Sequence, residues 1–234
     1  MDRGGGMRSD PGPETTFVPG AHRADAGPFS AAQPFGVLAL QGDFAAHAGA
    51  FRDLGAPVRE VRRVAELEGL AGLVIPGGES TTLLNLMRDE PWFEAVRRLH
   101  DSGAVVAGTC AGAILLSREV RPRQASLALL DAIIERNAWG RQVDSFEATV
   151  DAPALGGEMD AVFIRAPRFR ALYPDVEVLA RYAGEPVLVR QGRVVAATFH
   201  PELTGSRELH RYLLAMARGE ALQSAPSERA KATV

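Results

Sequence analysis

The sequence predicts an α/β three-layer sandwich with a mixed central sheet. Three observations carry that reading. Short apolar runs bounded by glycine and proline alternate with helical segments through the first half. The second half is richer in strands and closes on a single helix, which places antiparallel strands toward one edge. The chain has 234 residues, 46% hydrophobic and 24% charged, enough to bury a sizeable core without covalent staples.

The elements follow in order. Phe35 to Leu40 is an apolar run and reads as a buried strand. Asp43 can cap a helix reaching about Leu54, and Pro57 to Val61 is a second strand. Gly72 to Ile75 is a third, stopped by Pro76-Gly77-Gly78. Helices over Ser80–Arg88 and Pro91–Asp101 precede a fourth apolar strand, Ala104 to Gly108. This rhythm of strand and helix argues a parallel sheet covered on both faces. Leu129–Glu135, Ser145–Val150, Ala161–Ile164 and Val176–Tyr182 are then extended. Val187–Arg190 and Arg193–Phe199 flank Gln191-Gly192, a hairpin turn. The closing helix covers Ser206–Ala217.

The ends differ in kind. Residues 1–34 hold six glycines and five prolines with few large apolar groups, and read as a disordered N-terminal extension. Residues 35–218 form the folded domain, and 219–234 a flexible C-terminal tail. The single cysteine excludes an internal disulfide and multi-cysteine metal sites. No metal-ligand cluster is evident. A net charge of −3 gives no electrostatic case for nucleic acid or a membrane surface. The longest apolar stretch, Gly103 to Leu116, is shorter than the roughly 20 residues a membrane helix needs. No secretory signal is recognisable, so the expected location is cytoplasmic.

The sharpest chemical feature is Gly108-Thr109-Cys110-Ala111-Gly112, between a buried strand and an apolar helical stretch, Ala111–Ser117. This is the nucleophile-elbow pattern with cysteine in place of serine. Small flanking residues permit the tight turn, and a helix N-terminus favours thiolate and offers amides to an oxyanion. A buried cysteine beside two packing glycines fits the same residues. His200 and Glu202 stand at the end of another apolar strand, two residues apart. In an extended chain they face the same way, so Glu202 can fix the imidazole. A strand-end histidine beside a solvated glutamate is the bland alternative. Pro76 to Thr82 contains two glycines at a strand end, with Glu79 and Ser80 placed to cap a helix or hold a polar ligand. A phosphate loop is rejected, because the spacing is wrong and no lysine is nearby. Glu135 to Glu147 and Phe163 to Pro167 add Arg136 and Arg165, suited to a carboxylate or to surface salt bridges.

Together these motifs resemble the class I (triad) glutamine amidotransferases, most closely the glutaminase-subunit family of pyridoxal 5′-phosphate synthases. The resemblance rests on Leu40-Gln41-Gly42, Pro76 to Thr82, the cysteine elbow, Glu135 to Glu147, Phe163 to Pro167 and Phe199 to Thr204. It implies a flavodoxin-like glutaminase fold. It makes Cys110 the nucleophile, His200 the base and then acid, and Glu202 its orienting partner. It makes Gly78, Glu79, Ser80, Arg136, Ile164 and Arg165 the glutamine-binding residues, with Gly78 and Ala111 supplying oxyanion amides. The implied reaction is glutamine hydrolysis without metal or cofactor. The implied partner is a β/α-barrel synthase subunit, twelve copies of each, which uses the ammonia to build pyridoxal phosphate. The chain departs from the pattern in its long N-terminal extension, in Ala128 where glycine is expected, and in Trp139 where phenylalanine is usual. A glutaminase of another pathway, a cysteine hydrolase on the same scaffold and a non-catalytic module are the competing readings.

Overall fold

The computed structural model describes residues 29–136, 138 and 145–222. Trp139, Arg141 and most of the two tails lie outside the described residues.

Four strands are buried along their whole length: β1 (Phe35–Leu38), β3 (Gly72–Ile75), β4 (Val105–Thr109) and β12 (Val194–Ala197). Alternate residues on them feed two separate cores, as the two-residue period of a strand requires. Phe35, Val37, Val105, Ala107, Val195 and Ala197 pack on one face, with Phe51 and Leu213. Leu38, Val106, Val194 and Ala196 pack on the other, with Trp92, Val96 and Leu115. The first face is covered by α1 (Phe44–Asp53) and α5 (Glu208–Ala217). The second is covered by α2 (Ser80–Leu86), α3 (Trp92–Asp101) and α4 (Ala111–Leu116). Sheet between helices on both faces is the expected three-layer sandwich.

With β2 (Val58–Val61), β7 (Ser145–Ala152), β8 (Gly157–Ile164), β10 (Glu177–Tyr182) and β11 (Glu185–Gln191), the main sheet has nine strands. Their order is β2-β1-β3-β4-β12-β11-β10-β7-β8. Pairing is parallel from β2 to β12 and antiparallel beyond, so the sheet is mixed. A second sheet, β5-β6-β9, joins β5 (Ser117–Arg121), β6 (Leu130–Glu135) and β9 (Arg168–Leu172).

The structure corrects several local expectations. Strands β5 and β9 were not anticipated, because Ser-Arg-Glu-Val-Arg and Arg-Phe-Arg-Ala-Leu carry charge at most solvent-facing positions; pairing with β6 makes them strands. Strand β8 starts four residues before Ala161, because the hairpin register continues through Asp160 and Glu158 to Gly157. The β11–β12 turn is Gly192–Arg193, since Gln191 still pairs with Val194. Asp43 occupies the cap position of α1, but it is its backbone carbonyl that accepts from Ala46 and His47, without a side-chain cap bond. Ala128 adopts φ +53, the left-handed conformation that glycine takes at no steric cost. Packing begins before β1: the Phe29 amide donates to the Ala217 carbonyl at 3.0 Å, and its ring meets both cores.

Candidate active site

Strand β4 ends at Thr109 and α4 begins at Ala111, so Cys110 alone makes the turn. Its backbone is at φ +47, ψ −102, a conformation that costs a side-chain-bearing residue about 1–3 kcal/mol. The surroundings hold it there. The Cys110 amide donates to the Ala197 carbonyl of β12 at 2.8 Å, and its carbonyl accepts from Ile114 at 3.2 Å. The flanking glycines are needed because backbones cross closely. A Cβ on Gly112 would stand 2.0 Å from the Ile75 carbonyl oxygen. The thiol is 6% exposed, and Sγ lies 4.0 Å from the Ile164 carbonyl oxygen at the end of β8.

His200 follows β12 and forms an antiparallel bridge to Val162 of β8, its amide donating to the Val162 carbonyl at 2.8 Å. The two strand ends thus set the imidazole beside the cysteine elbow. Nδ1 of His200 meets Oε1 of Glu202 at 2.8 Å, and both side chains are buried. The expected pairing is present, but the geometry that produces it differs. The chain is not extended here. Pro201–Leu203 forms a 3-10 turn, started by a proline whose fixed φ suits the first helical position, and this turn brings Glu202 back to the ring.

Burial opposes a charged imidazole, but the bonds to Cys110 and Glu202 outweigh it and raise His200 to about 10. Glu202 is likewise opposed by burial, yet His47 and His200 hold its carboxyl well below the usual carboxylate range. The Asp43 carboxylate joins this group: it, His200 and Glu202 offer polar atoms within 4.8 Å of one another. Nδ1 of His200 and Oε1 of Glu202 are already committed to each other.

The glycine loop closes one side. A Cβ on Gly77 would come 2.2 Å from Cε1 of His200, so only glycine lets this backbone lie against the ring. The Gly77 amide donates to the Thr109 hydroxyl at 3.0 Å. Gln41 spans the loop, its Nε2 donating to the Gly77 carbonyl at 3.4 Å and its Oε1 accepting from the Glu79 amide at 3.2 Å. Gly78, between them, takes φ +128. Ala111 opens α4, where a first-turn amide has no partner four residues back.

Glu79 caps α2 by accepting from the Thr82 amide at 2.6 Å. The Thr81 hydroxyl bond, above all, lowers it to about 2. Its other oxygen receives Nη2 of Arg136 at 3.2 Å, so two residues singled out separately in the sequence meet here. The buried Ser80 hydroxyl donates to Oε1 of Gln124 at 3.0 Å. Arg165 is exposed just past β8, at φ +42.

The sequence reading gives no role to His47, His210 or the Thr109 hydroxyl. Nε2 of His47 lies 3.2 Å from Oε2 of Glu202 and 3.2 Å from the Thr109 hydroxyl. Nδ1 of His47 lies 2.9 Å from Nε2 of His210. His47 stands four residues from Asp43 and from Phe51, on the side of α1 that faces the core; that spacing was the available signal.

Comparison with known proteins identifies the family. Residues 37–218 match the model of the SNO glutamine amidotransferase family. A pyridoxal 5′-phosphate synthase subunit PdxT from Thermus thermophilus is 55% identical over 185 residues, covering 78% of this chain and 96% of the relative. The PdxT subunit of Mycolicibacterium vanbaalenii is 50% identical over 186 residues, 77% of this chain and 95% of the relative. A solved glutamine amidotransferase, 52% identical, superposes with a TM-score of 0.74 over 78% of this chain and 98% of that one. A chain of PurLQS from Thermotoga maritima shares the fold at 14% identity, with a TM-score of 0.61 over 78% of this chain and 97% of that one. No helix among the described residues is long and apolar enough to cross a membrane. The chain belongs to the SNO glutamine amidotransferase family.

Proposed function

We propose that this chain hydrolyses L-glutamine to L-glutamate and ammonia, and passes the ammonia to a synthase subunit that makes pyridoxal 5′-phosphate. The observation that carries the reading is Cys110 on a strained elbow, facing a buried imidazole whose Nδ1 is fixed by Glu202 at 2.8 Å. The names of the PdxT relatives, subunits of pyridoxal 5′-phosphate synthase, support the partner.

The chemistry is acyl transfer. His200 takes the Cys110 thiol proton, the sulfur attacks the side-chain amide carbon of glutamine, and the carbonyl becomes an oxyanion. Amides at Gly78 and Ala111 receive it; losing one such donor typically costs about 10²–10³ in rate. His200 gives its proton to the leaving nitrogen, ammonia departs and a thioester remains. His200 then takes a proton from water, the hydroxide displaces sulfur, and glutamate leaves. Glu202 holds the tautomer and the charge of His200 through both halves. Gly78, Glu79, Ser80, Arg136, Ile164 and Arg165 surround the glutamine. Since the Ser80 hydroxyl is engaged with Gln124, Ser80 contributes through its backbone. Gln41, which binds both ends of the glycine loop, links the partner to the oxyanion amides. The partner is a β/α barrel, twelve copies of each subunit form the assembly, and the complex is cytoplasmic. The chain itself uses neither metal nor cofactor.

The test is ammonia release from glutamine with and without the synthase subunit. Wild-type chain is active with its partner, and Cys110→Ala loses activity by about 10⁴-fold or more while still binding the partner. Residual glutaminase in that variant would refute the assignment.

A further inference from the structure

The polar network does not stop at Glu202. It runs on through the interior to α5, over side chains that the acyl-transfer steps never use. His47 and His210 are each 1% exposed, and they sit on different helices, α1 and α5.

Hydrogen-bond directions along this chain of groups are set by its chemistry. Oε2 of Glu202 is buried and lacks an aligned hydrogen bond, and Nε2 of His47 stands 3.2 Å from it; an ionised carboxylate only accepts, so this contact is attractive only with a proton on Nε2. Nδ1 of His47 meets Nε2 of His210 at 2.9 Å, accepting from it when the His47 ring is neutral and donating to it when that ring is charged. Nδ1 of His210 is buried and has no partner in either case. Burial, then His47, pushes His210 down to about 3, which keeps its ring neutral. The same Nε2 of His47 touches the Thr109 hydroxyl, which accepts the Gly77 amide of the glycine loop.

We propose that His47 is a positioning residue for the triad: it holds the Glu202 oxygen that faces away from His200 and, through Thr109, ties that carboxylate to the glycine loop. Without the N–H of His47 beside it, the buried carboxylate would turn or protonate, and His200 would lose its fixed partner. This inference rests on the triad reading, but its test does not depend on glutamine turnover.

The chain has one cysteine, so iodoacetamide reports Cys110 alone: sulfur attacks the methylene carbon and iodide leaves. Two variants of the full chain separate positioning from packing. In His47→Gln the amide nitrogen reaches the place of Nε2, and the donor to Glu202 is kept. In His47→Asn the amide reaches only the place of Nδ1, and the donor is lost. The other charged or titratable groups around the cluster are unchanged in both: Asp43, Cys110, His200, Arg207 and His210. At pH 6.5, His47→Asn should be alkylated about three- to tenfold more slowly than wild type, with the rates converging at pH 9.5. His47→Gln should recover most of the rate at pH 6.5. The inference is overturned if His47→Asn matches wild type, or if both variants slow equally. Loss of folding in both, read by circular dichroism, also overturns it, since His47 would then be structural only.

Discussion

Two of the turns that place a non-glycine residue at positive φ do so for opposite ends. Cys110 sits at φ +47 between β4 and α4, inside the core. Ala183 sits at φ +49 in the exposed two-residue turn between β10 and β11, followed by Gly184 at φ +81. Such backbone costs a side-chain-bearing residue about 1–3 kcal/mol in both places. At the hairpin that conformation is what a type I′ turn demands, and nothing lies near Gly184. At the elbow it is imposed by contacts on every side: Ala197 anchors the amide, Ile75 crosses at Gly112, and α4 is buried throughout. The contrast teaches that strain at the site is kept by packing rather than by the turn itself. The Cys110 sulfur is aimed because its neighbours hold the backbone in place.

The sharpest way to break the comparison is to add one methyl at each turn. Gly112→Ala puts a Cβ 2.0 Å from a backbone oxygen that cannot yield cheaply. It should destabilise the fold by about 3 kcal/mol and abolish glutamine hydrolysis. Gly184→Ala meets open space and carries only the φ penalty, about 1 kcal/mol, with hydrolysis retained. Urea denaturation of the two variants measures both. Equal losses would mean that packing does not hold the elbow.

A second probe asks how far the elbow's surroundings are electrostatic. His200 is raised from an ordinary 6.5 to about 10, so its contribution to stability is complete below pH 6.5 and lost as pH rises toward 10. Glu202 is lowered from 4.5, so its contribution is present above that value and lost on acidification. Both are complete only between about pH 4.5 and 6.5. Glu202→Gln should therefore flatten the fall in the urea midpoint between pH 6.5 and 10 relative to wild type. It should also lower kcat by about 10²-fold. An unchanged slope would show that Glu202 does not sustain the His200 cation.

The elbow was legible in the sequence because small residues at fixed spacing leave a local signature. The four fully buried strands were legible as apolar runs, since a strand covered on both faces has no polar alternation to hide it. What stayed hidden depends on tertiary pairing. Strands β5 and β9 are charged segments that become strands against β6. The first half of β8 reads as a polar loop until Asp160 and Glu158 are seen facing solvent across from β7. His47 and His210 are 163 residues apart, and no local pattern announces their contact. Glu202 was matched to His200 correctly, but by assuming an extended chain where a 3-10 turn does the positioning.

The smallest prediction sharpens the other side of the comparison. Type I′ turns need positive φ at both central residues, and the first is best filled by asparagine, whose short polar side chain tolerates that region. Ala183 is exposed there, with Tyr182 and Glu185 pairing on either side. Ala183→Asn should stabilise the fold by about 0.5–1 kcal/mol, read as a higher urea midpoint, and leave glutamine hydrolysis unchanged. The hairpin's strain can be relieved in this way because nothing else uses it. At the elbow the same relief is closed off, since changing Cys110 would remove the sulfur that the proposed attack on glutamine needs.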